Sequence, residues 1–308
     1  MGVMEVIKPG QLSLIQDIGR FGITPLGVTQ GGPLDEYAYC WSNLLLGNPA
    51  GCPTLEITLG QAEYRFTKGC MVAICGGDLQ AKLDDRPVQN WSSFYVSKGQ
   101  TLKFGLPVNG LRAYLAVAGG FVVEPHLGST STVLREKLGG LHQDGTPLVA
   151  GDVLPLGMPQ HKTEPKQVSF RFVPDYNLPL RLRVIESYQA QEFTKEARRA
   201  FYRNTYSVSQ SSDRMGYRLT GQPVTPPRNG VISEGIALGS IQIPPDGQPI
   251  VLLNDRQTLG GYPKIGVLAR IDQPRIAQAK PGHSVKFIKG NRRHLQAIWS
   301  AWALRFGY

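Results

Sequence analysis

Short apolar stretches separated by glycine- and proline-rich turns run through most of the chain. Their lengths and spacing are those of strands in an antiparallel sandwich or barrel. The 36 glycines and 23 prolines favour many turns over long helices. The pattern therefore predicts a mainly β protein with a few helices. In the first half of the chain the predicted strands include Leu55–Leu59, Glu63–Phe66, Met71–Cys75, Phe94–Val96, Thr101–Phe104 and Arg112–Val117.

Three stretches show the apolar spacing of an amphipathic helix instead. Asp35 is a suitable N-cap for a helix that ends at Leu46, directly before Gly47. A second helix is predicted at Phe193–Arg203, where Thr194 is the expected N-cap. The third helix lies in residues 291–308 and carries apolar residues at helical spacing.

A polar, charged segment that contains Pro165 divides the chain into two halves of ordinary domain size. We therefore predict one β unit in residues 1–165 and a second in residues 166–290. Residues 291–308 then form a separate C-terminal helix.

The stretch Ser233–Tyr262 shows the pattern of a binding site. Its two apolar runs, Ile236–Ile243 and Pro249–Leu253, flank a turn, and five polar residues and then two glycines follow the second run. Buried polar side chains need hydrogen-bond partners, and loops on a rigid scaffold commonly carry binding residues. A second dense polar cluster lies at Ser211–Arg218.

We predict that the two polar clusters converge on one concave surface that binds a planar, anionic amide. Arginine binds a carboxylate through two parallel hydrogen bonds, and a carboxylate can orient or deprotonate water. The alternative for any one of these residues is an Asp–Arg ion pair that fixes the loops. The candidate catalytic residues are Asp213, Asp255 and Gln257. The candidate substrate-binding residues are Arg214, Arg218, Gln242, Arg256, Thr258, Tyr262 and Lys264.

Composition and charge narrow the classes of partner. The 308 residues carry a net charge of +10 without a helix-turn-helix pattern or interleaved aromatic residues. This balance favours a protein partner or small anionic substrates over a nucleic acid. The four cysteines and five histidines show no metal-ligand spacing, so no metal site is expected and the cysteines are predicted to be free thiols of a cytoplasmic protein. No apolar run reaches the ~20 residues of a membrane span, so no membrane segment is expected.

Several known motifs are missing from the sequence. It contains neither a P-loop nor a Gly-x-Ser-x-Gly elbow. It also has no biotin-acceptor lysine between methionines, so any biotin would arrive on another chain. The hydroxyl-rich loop Gly128–Thr132 has two interpretations, an anion site formed by backbone N–H groups or a capped surface turn.

Five segments, in order along the chain, match the motifs of one known family. They are Gln16–Arg20, Leu55–Gly60, Arg112–Gly120, Ser212–Leu219 and Gln242–Pro263. Together they resemble the biotin-dependent carboxyltransferase / allophanate hydrolase subunit 2 family, and within it most closely the C subunits of 5-oxoprolinase.

The resemblance implies two cyclophilin-like β-barrel modules and a role in a heteromeric complex. The direct partner would be the B subunit of 5-oxoprolinase, and the A subunit would be a third component. Together they would open the lactam 5-oxoproline to glutamate using ATP, and this chain would be inactive alone.

Other members of the family imply two alternatives. One is carboxyl transfer from biotin on a partner protein to a urea-type substrate. The other is a regulatory module that binds a kinase inhibitor. The chain departs from the family's pattern where Glu186-Ser187-Tyr188 stands in place of Gly-Pro, and again around Gly145-Thr146.

Overall fold

The computed structural model describes residues 2–162, 164–227 and 232–308. The chain forms two compact units. The first comprises the chain up to Phe21, Gly31–Asn177 and Phe306–Tyr308. The second comprises Gly22–Gln30 and Leu178–Arg305.

The first unit contains eleven strands and one α-helix among the described residues. The helix is α1 (Glu36–Leu46). The strands are β1 (Val3–Pro9), β2 (Leu12–Gln16), β3 (Thr54–Thr58), β4 (Ala62–Phe66), β5 (Cys70–Asp78), β6 (Lys82–Leu83), β7 (Arg86–Pro87), β8 (Ser92–Val96), β9 (Thr101–Lys103), β10 (Asn109–Val117) and β11 (Val153–Pro155).

These strands form two sheets around one apolar core. The six-stranded sheet has the order β11-β1-β4-β9-β6-β7, and the five-stranded sheet has the order β2-β3-β10-β5-β8. Val6 and Phe66 from the first sheet and Ile57, Val72 and Leu115 from the second belong to the same buried cluster. The first unit is therefore a sandwich of two sheets whose inner faces share one core.

Helix α1 begins and ends where the sequence predicts. The side chain of Asp35 accepts a hydrogen bond from the backbone N–H of Ala38 at 2.9 Å. Gly47 ends the helix with φ of +65°, a left-handed conformation that glycine adopts without steric cost.

The loop Gly128–Thr132 binds an anion, and that anion is a carboxylate of the same unit. Asp17 is 7% exposed and lies within the loop's hydroxyl and N–H groups. Its oxygens accept from the backbone N–H of Gly19 (2.9 Å) and Thr130 (2.7 Å) and from the hydroxyls of Ser129, Thr130 (3.2 Å) and Ser131 (2.6 Å). These donors are thereby occupied within the fold.

The second unit contains nine strands and three α-helices among the described residues. The helices are α2 (Lys195–Arg203), α3 (Gln273–Ala277) and α4 (Arg292–Phe306). The strands are β12 (Leu180–Glu186), β13 (Thr205–Val208), β14 (Gly216–Thr220), β15 (Glu234–Gly235), β16 (Ser240–Gln242), β17 (Ile250–Leu252), β18 (Leu259–Gly260), β19 (Lys264–Leu268) and β20 (Ser284–Lys289).

Seven of these strands close into a barrel in the order β12-β19-β16-β17-β14-β13-β20. The ring is antiparallel except where β12 and β20 run parallel. The two apolar runs of Ser233–Tyr262 form the hairpin β16–β17, and their turn closes with the N–H of Gly247 donating to the carbonyl of Pro244 at 2.9 Å. The prediction of a mainly β fold is confirmed.

The division between the units follows Asn177 and not residue 165. The polar segment around Pro165 is followed by residues that hydrogen-bond within the first unit. Val168 donates from its N–H to the carbonyl of Trp91 at 2.9 Å, and Tyr176 donates from its hydroxyl to Asp35 at 2.8 Å. The predicted C-terminal segment 291–308 is likewise divided, because Phe306–Tyr308 belong to the first unit.

Candidate functional site

The two predicted polar clusters meet in the second unit, where their backbones are hydrogen-bonded. The N–H of Asp255 donates to the carbonyl of Arg214 at 3.1 Å. The Arg214 guanidinium in turn donates to both carboxylate oxygens of Asp255, from Nε at 2.9 Å and from Nη2 at 3.0 Å. Each of these two side chains is 5% exposed. The two clusters therefore meet at this pair, whereas a concave surface shared by them remains a prediction.

This geometry is that of a structural ion pair. Both oxygens of Asp255 accept from a planar guanidinium, and little of either side chain reaches solvent. The pair therefore fixes the two loops, which is the alternative that the sequence left open. The role of Asp255 in activating water remains a prediction. The role of Arg214 as a substrate ligand is likewise still a prediction.

Arg256 also lies in a buried, structural position. Its guanidinium donates to the carbonyls of Ile236 at 3.0 Å and Leu253 at 3.3 Å. Burial lowers the pKa of Arg256 to about 10, and the Asp255 carboxylate opposes that shift. The backbone carbonyl of Arg256 accepts from the hydroxyl of Thr29 at 3.1 Å.

Asp213 and Arg218 occupy more exposed positions than the buried pair. Asp213 accepts from the N–H groups of Met215 at 2.8 Å and Gly216 at 3.1 Å, so its carboxylate closes its own turn. Arg218 is 42% exposed and lies 3.4 Å from Asp246, which is 53% exposed. An ion pair with this exposure contributes little to stability.

Gln242 and Gln257 come together at Gly260, and Lys264 lies beside Gln242. Gln242 on β16 is the cross-strand partner of Lys264 on β19. A Cβ atom placed on Gly260 would lie 3.1 Å from Nε2 of Gln242 and 3.4 Å from Nε2 of Gln257. The absence of a side chain at Gly260 therefore lets two amide groups approach one point. Nε2 of Gln242 is buried without a hydrogen-bond partner in the part of the chain that the structure describes.

Lys264 is the centre of a network that extends beyond the predicted residues. Its Nζ lies 2.5 Å from Oε1 of Glu234, and its backbone N–H donates to Oε1 of Gln189 at 2.7 Å. Nε2 of Gln189 donates to the same Glu234 oxygen at 2.9 Å, and the Tyr188 hydroxyl donates to Oε2 of Glu234. We call Tyr188, Gln189, Glu234, Gln242, Gln257 and Lys264 the Lys264 cluster.

The electrostatics of the Lys264 cluster keep Glu234 ionised. Hydrogen bonds from Lys264 and Tyr188 lower the pKa of the Glu234 carboxyl. The same carboxylate raises the pKa of the Tyr188 phenol, so the phenol stays protonated and donates. Lys264 is 6% exposed, whereas Glu234 is 32% exposed and therefore accessible from solvent.

Sequence reasoning missed Tyr188, Gln189 and Glu234, although two signals marked them. Glu234 stands within the predicted site stretch but precedes its apolar run. Tyr188 lies in the segment that departs from the family pattern, next to Ser187, whose hydroxyl donates to the carbonyl of Lys264.

Thr258 and Tyr262 lie in the segment that connects β17 to β19. The carbonyl of Thr258 accepts from the N–H of Ile236 at 3.0 Å, and the Tyr262 side chain is 45% exposed. Gly260 pairs with Glu234 across β18 and β15. This two-stranded ladder holds the segment that contains Thr258 and Tyr262 next to Glu234, the carboxylate that sequence reasoning missed.

The chemistry of the Lys264 cluster matches a cyclic amide. The amide N–H groups of Gln242 and Gln257 can donate to a carbonyl oxygen, and Glu234 can accept from a lactam N–H. Lys264 supplies a positive charge for a developing oxyanion. The described residues contain no group of three or more His, Cys, Asp or Glu that could hold a metal ion.

Residues 26–289 match the carboxyltransferase domain, subdomain A and B. The chain belongs to this family. The resemblance found in the sequence motifs is thereby confirmed. Members of the family differ widely in total length, from proteins of about this size to chains several times longer.

Two bacterial members of the carboxyltransferase domain family align over nearly their whole length. The 5-oxoprolinase C subunit of Escherichia coli strain K12 is 38% identical over 93% of this chain and 91% of its own. The 5-oxoprolinase C subunit of Haemophilus influenzae is 35% identical over 92% of this chain and 90% of its own.

A larger member supports the fold. The crystal structure of the Kluyveromyces lactis urea carboxylase matches with a TM-score of 0.90 and 26% identity. This match covers 99% of the present chain but 29% of the urea carboxylase chain. Among the described residues no helix is long and apolar enough to cross a membrane.

Proposed function

We propose that this chain is one component of an ATP-dependent 5-oxoprolinase complex that opens 5-oxoproline to glutamate. The observation that carries the proposal is the alignment with the Escherichia coli C subunit over 93% of this chain and 91% of that protein. The partners in this proposal are the B and A subunits of the complex, and the chain alone is inactive. We also propose a cytoplasmic location, since none of the four cysteines, all within the described residues, forms a disulfide.

The lactam carbonyl is a poor electrophile because the ring nitrogen donates electron density to it. ATP supplies the activation by phosphorylating the carbonyl oxygen. A first water then adds to the carbon, the C–N bond breaks and the nitrogen takes up a proton, which leaves an acyl phosphate. A second water cleaves the acyl phosphate to the carboxylate of glutamate and free phosphate. The net reaction consumes ATP and two waters and yields glutamate, ADP and phosphate.

The residues of the Lys264 cluster have defined roles in this proposal. Gln242 and Gln257 orient the carbonyl through their amide N–H groups. Glu234 accepts the lactam N–H in the bound substrate and, through Tyr188, is connected to solvent for the proton that the leaving nitrogen requires. Lys264 stabilises negative charge on the reacting oxygen.

The test is reconstitution with purified proteins. The A and B subunits are incubated with this chain, ATP and 5-oxoproline, and glutamate is measured. We expect glutamate only when all three proteins are present. A mixture that forms no glutamate with this chain, while a matched complex with the Escherichia coli C subunit does, would contradict the proposal.

One observation favours a second candidate, a carboxyltransferase component. The fold matches the urea carboxylase of Kluyveromyces lactis with a TM-score of 0.90. In that case carboxybiotin on a partner protein would transfer its carboxyl group to a urea-type substrate. Incubation with a carboxylated biotin carrier and urea distinguishes the two, because only the carboxyltransferase releases decarboxylated biotin in the absence of ATP.

A further inference from the structure

Helix α2 and the ends of strands β12 and β20 line an open basic groove in the second unit. Its volume is about 380 Å³, within the range of small-molecule sites. It is lined by Glu186, Lys195, Arg198, Arg199, Tyr202, Arg203 and Lys289. We call these seven residues the α2 groove. The proposed reaction assigns no role to any of them, although Glu186 lies close in sequence to Tyr188 of the Lys264 cluster.

The cations of the α2 groove are presented by a rigid element. Thr194 caps α2 by accepting from the N–H of Ala197 at 3.1 Å. The opposite face of the helix is buried, because Phe201 is 0% exposed and its ring stacks on Phe287 with centroids 4.5 Å apart. Packing on one face thus fixes the direction of the basic face.

Most of the positive charge in the α2 groove has no counter-charge. Among the described residues, Lys195, Arg198, Arg199 and Arg203 form no ion pair. The one carboxylate that lines the groove, Glu186, lies 2.9 Å from Lys289.

Arg198 is the most buried of the four unpaired cations. Its side chain is half-buried, and its Nε is buried without a hydrogen-bond partner in the described part of the chain. Partly desolvated guanidinium groups interact with an anion more strongly than fully hydrated ones.

We propose that the α2 groove binds a polyphosphate group. Residues Lys195, Arg198, Arg199 and Arg203 recur at helical spacing along one face, and Lys289 approaches from a neighbouring strand. Adjacent phosphates present several acceptor oxygens and a high charge density, which fits several forked guanidinium donors in a small concavity. The size of the groove favours a small ligand over the extended acidic surface of a protein.

The polyphosphate can belong to a nucleoside triphosphate or to an inorganic chain. Both present the same phosphates, so the binding experiment must compare them. The inference is independent of the proposed function, because it is tested by binding to the purified chain and not by turnover.

The experiment is isothermal titration calorimetry of the full chain with inorganic tripolyphosphate at an ionic strength of about 0.15 M, where the Debye length is about 8 Å. The test variant is Arg198→Gln/Arg203→Gln. The matched control is Arg292→Gln/Arg293→Gln, which removes the same charge from two exposed positions at the start of α4. Thermal unfolding of each variant verifies that the fold is retained, and the single variant Arg199→Gln at an exposed position serves if the double variant unfolds.

We expect the test variant to weaken binding by at least about tenfold, because it removes two charge-assisted donors. The control is expected to change the affinity less than about twofold, since exposed charges outside the groove are screened. ATP that binds tighter than tripolyphosphate, while adenosine does not bind, would identify a nucleotide as the ligand. Equal affinities would identify the phosphates alone.

Three results would overturn the proposal. The first is that neither tripolyphosphate nor ATP binds. The second is that the test and control variants lose affinity equally, which would show that binding depends on the overall surface charge and not on the α2 groove. The third is that a poly-glutamate peptide binds and tripolyphosphate does not, which would assign the groove to an acidic protein partner.

Discussion

Two cation–carboxylate contacts in the second unit use similar chemical groups in different surroundings. Arg214 and Asp255 are each 5% exposed, and both carboxylate oxygens accept from the guanidinium. Lys264 is 6% exposed, but its partner Glu234 is 32% exposed and shares its oxygens with Tyr188 and Gln189. The first contact is satisfied internally, whereas the second leaves a carboxylate accessible to a ligand.

The comparison shows that residue type alone does not identify a site. An Asp–Arg pair at the meeting point of two polar clusters satisfied the sequence pattern of a catalytic centre. Its geometry is that of a buried structural pair, whose main effect is on the free energy of unfolding. The accessible carboxylate of Glu234 is the better candidate for chemistry, since the same cluster contains Nε2 of Gln242, which has no hydrogen-bond partner among the described residues.

The largest expected effect is on stability, from Asp255→Ala. Removing this carboxylate leaves the buried Arg214 guanidinium without its bidentate partner, and we expect a loss of about 3–5 kcal/mol in the free energy of unfolding. Urea denaturation of the purified chain measures it. Asp246→Ala, which removes the exposed partner of Arg218, is the control and should cost less than about 1 kcal/mol. Similar values for the two variants would show that the buried pair does not fix the loops.

The next effect is on turnover, from Glu234→Gln. The substitution keeps the size of the side chain but removes the charge that accepts from Lys264 and Tyr188. We expect glutamate formation by the reconstituted complex to fall by about 10²-fold with folding retained. Glu124→Gln, at an exposed position of the first unit, should behave as the wild type. Unchanged turnover in Glu234→Gln would remove the Lys264 cluster from the mechanism.

A smaller effect is expected from Gly260→Ala. The new Cβ would lie 2.7 Å from Cδ1 of Ile236 and 3.1 Å from Nε2 of Gln242, so the surrounding residues must shift. We expect a loss of about 1–3 kcal/mol in the free energy of unfolding. Gly235, the cross-strand partner of the adjacent Leu259, offers a control, because a Cβ on Gly235 would meet nothing within 4 Å. If Gly235→Ala destabilises the chain as much, the close approach at Gly260 is not the cause.

The smallest effect is the pH dependence contributed by Glu234. Its pKa is lowered in the folded chain by Lys264 and Tyr188, so its contribution to stability is present above the unfolded value of about 4.3. That contribution is lost as the pH falls through the folded pKa. Denaturant titrations between pH 6 and pH 3 should show a shallower acid decline for Glu234→Gln than for wild type. Parallel curves would mean that the carboxylate is not stabilised in its ionised form.

Local signals in the sequence were sufficient for most of the individual elements. Strand β4 (Ala62–Phe66) covers the predicted strand Glu63–Phe66, and Asp35 and Gly47 bound α1. These features depend on side chains a few residues apart, namely a capping oxygen, a glycine with positive φ, and alternating apolar positions. They are therefore visible without knowledge of the rest of the chain.

The unit boundary could not be obtained in this way. A polar segment with a proline has the composition of a linker, yet the residues after it bond to Trp91 and Asp35 of the first unit. Those contacts join positions far apart in sequence, so they cannot be predicted from the composition of the segment.

The sequence by itself determined the family, the mainly β fold and the two polar clusters, because motifs, periodicity and turn residues are local properties. Only the tertiary structure decided that the carboxylate of Asp255 is buried and that the carboxylate of Glu234 is accessible to solvent. The β15–β18 ladder places Glu234 opposite Gly260, and the register of β16 with β19 places Gln242 beside Lys264. Burial and accessibility arise from such long-range pairings, so only the folded barrel distinguishes a structural ion pair from a candidate reactive one.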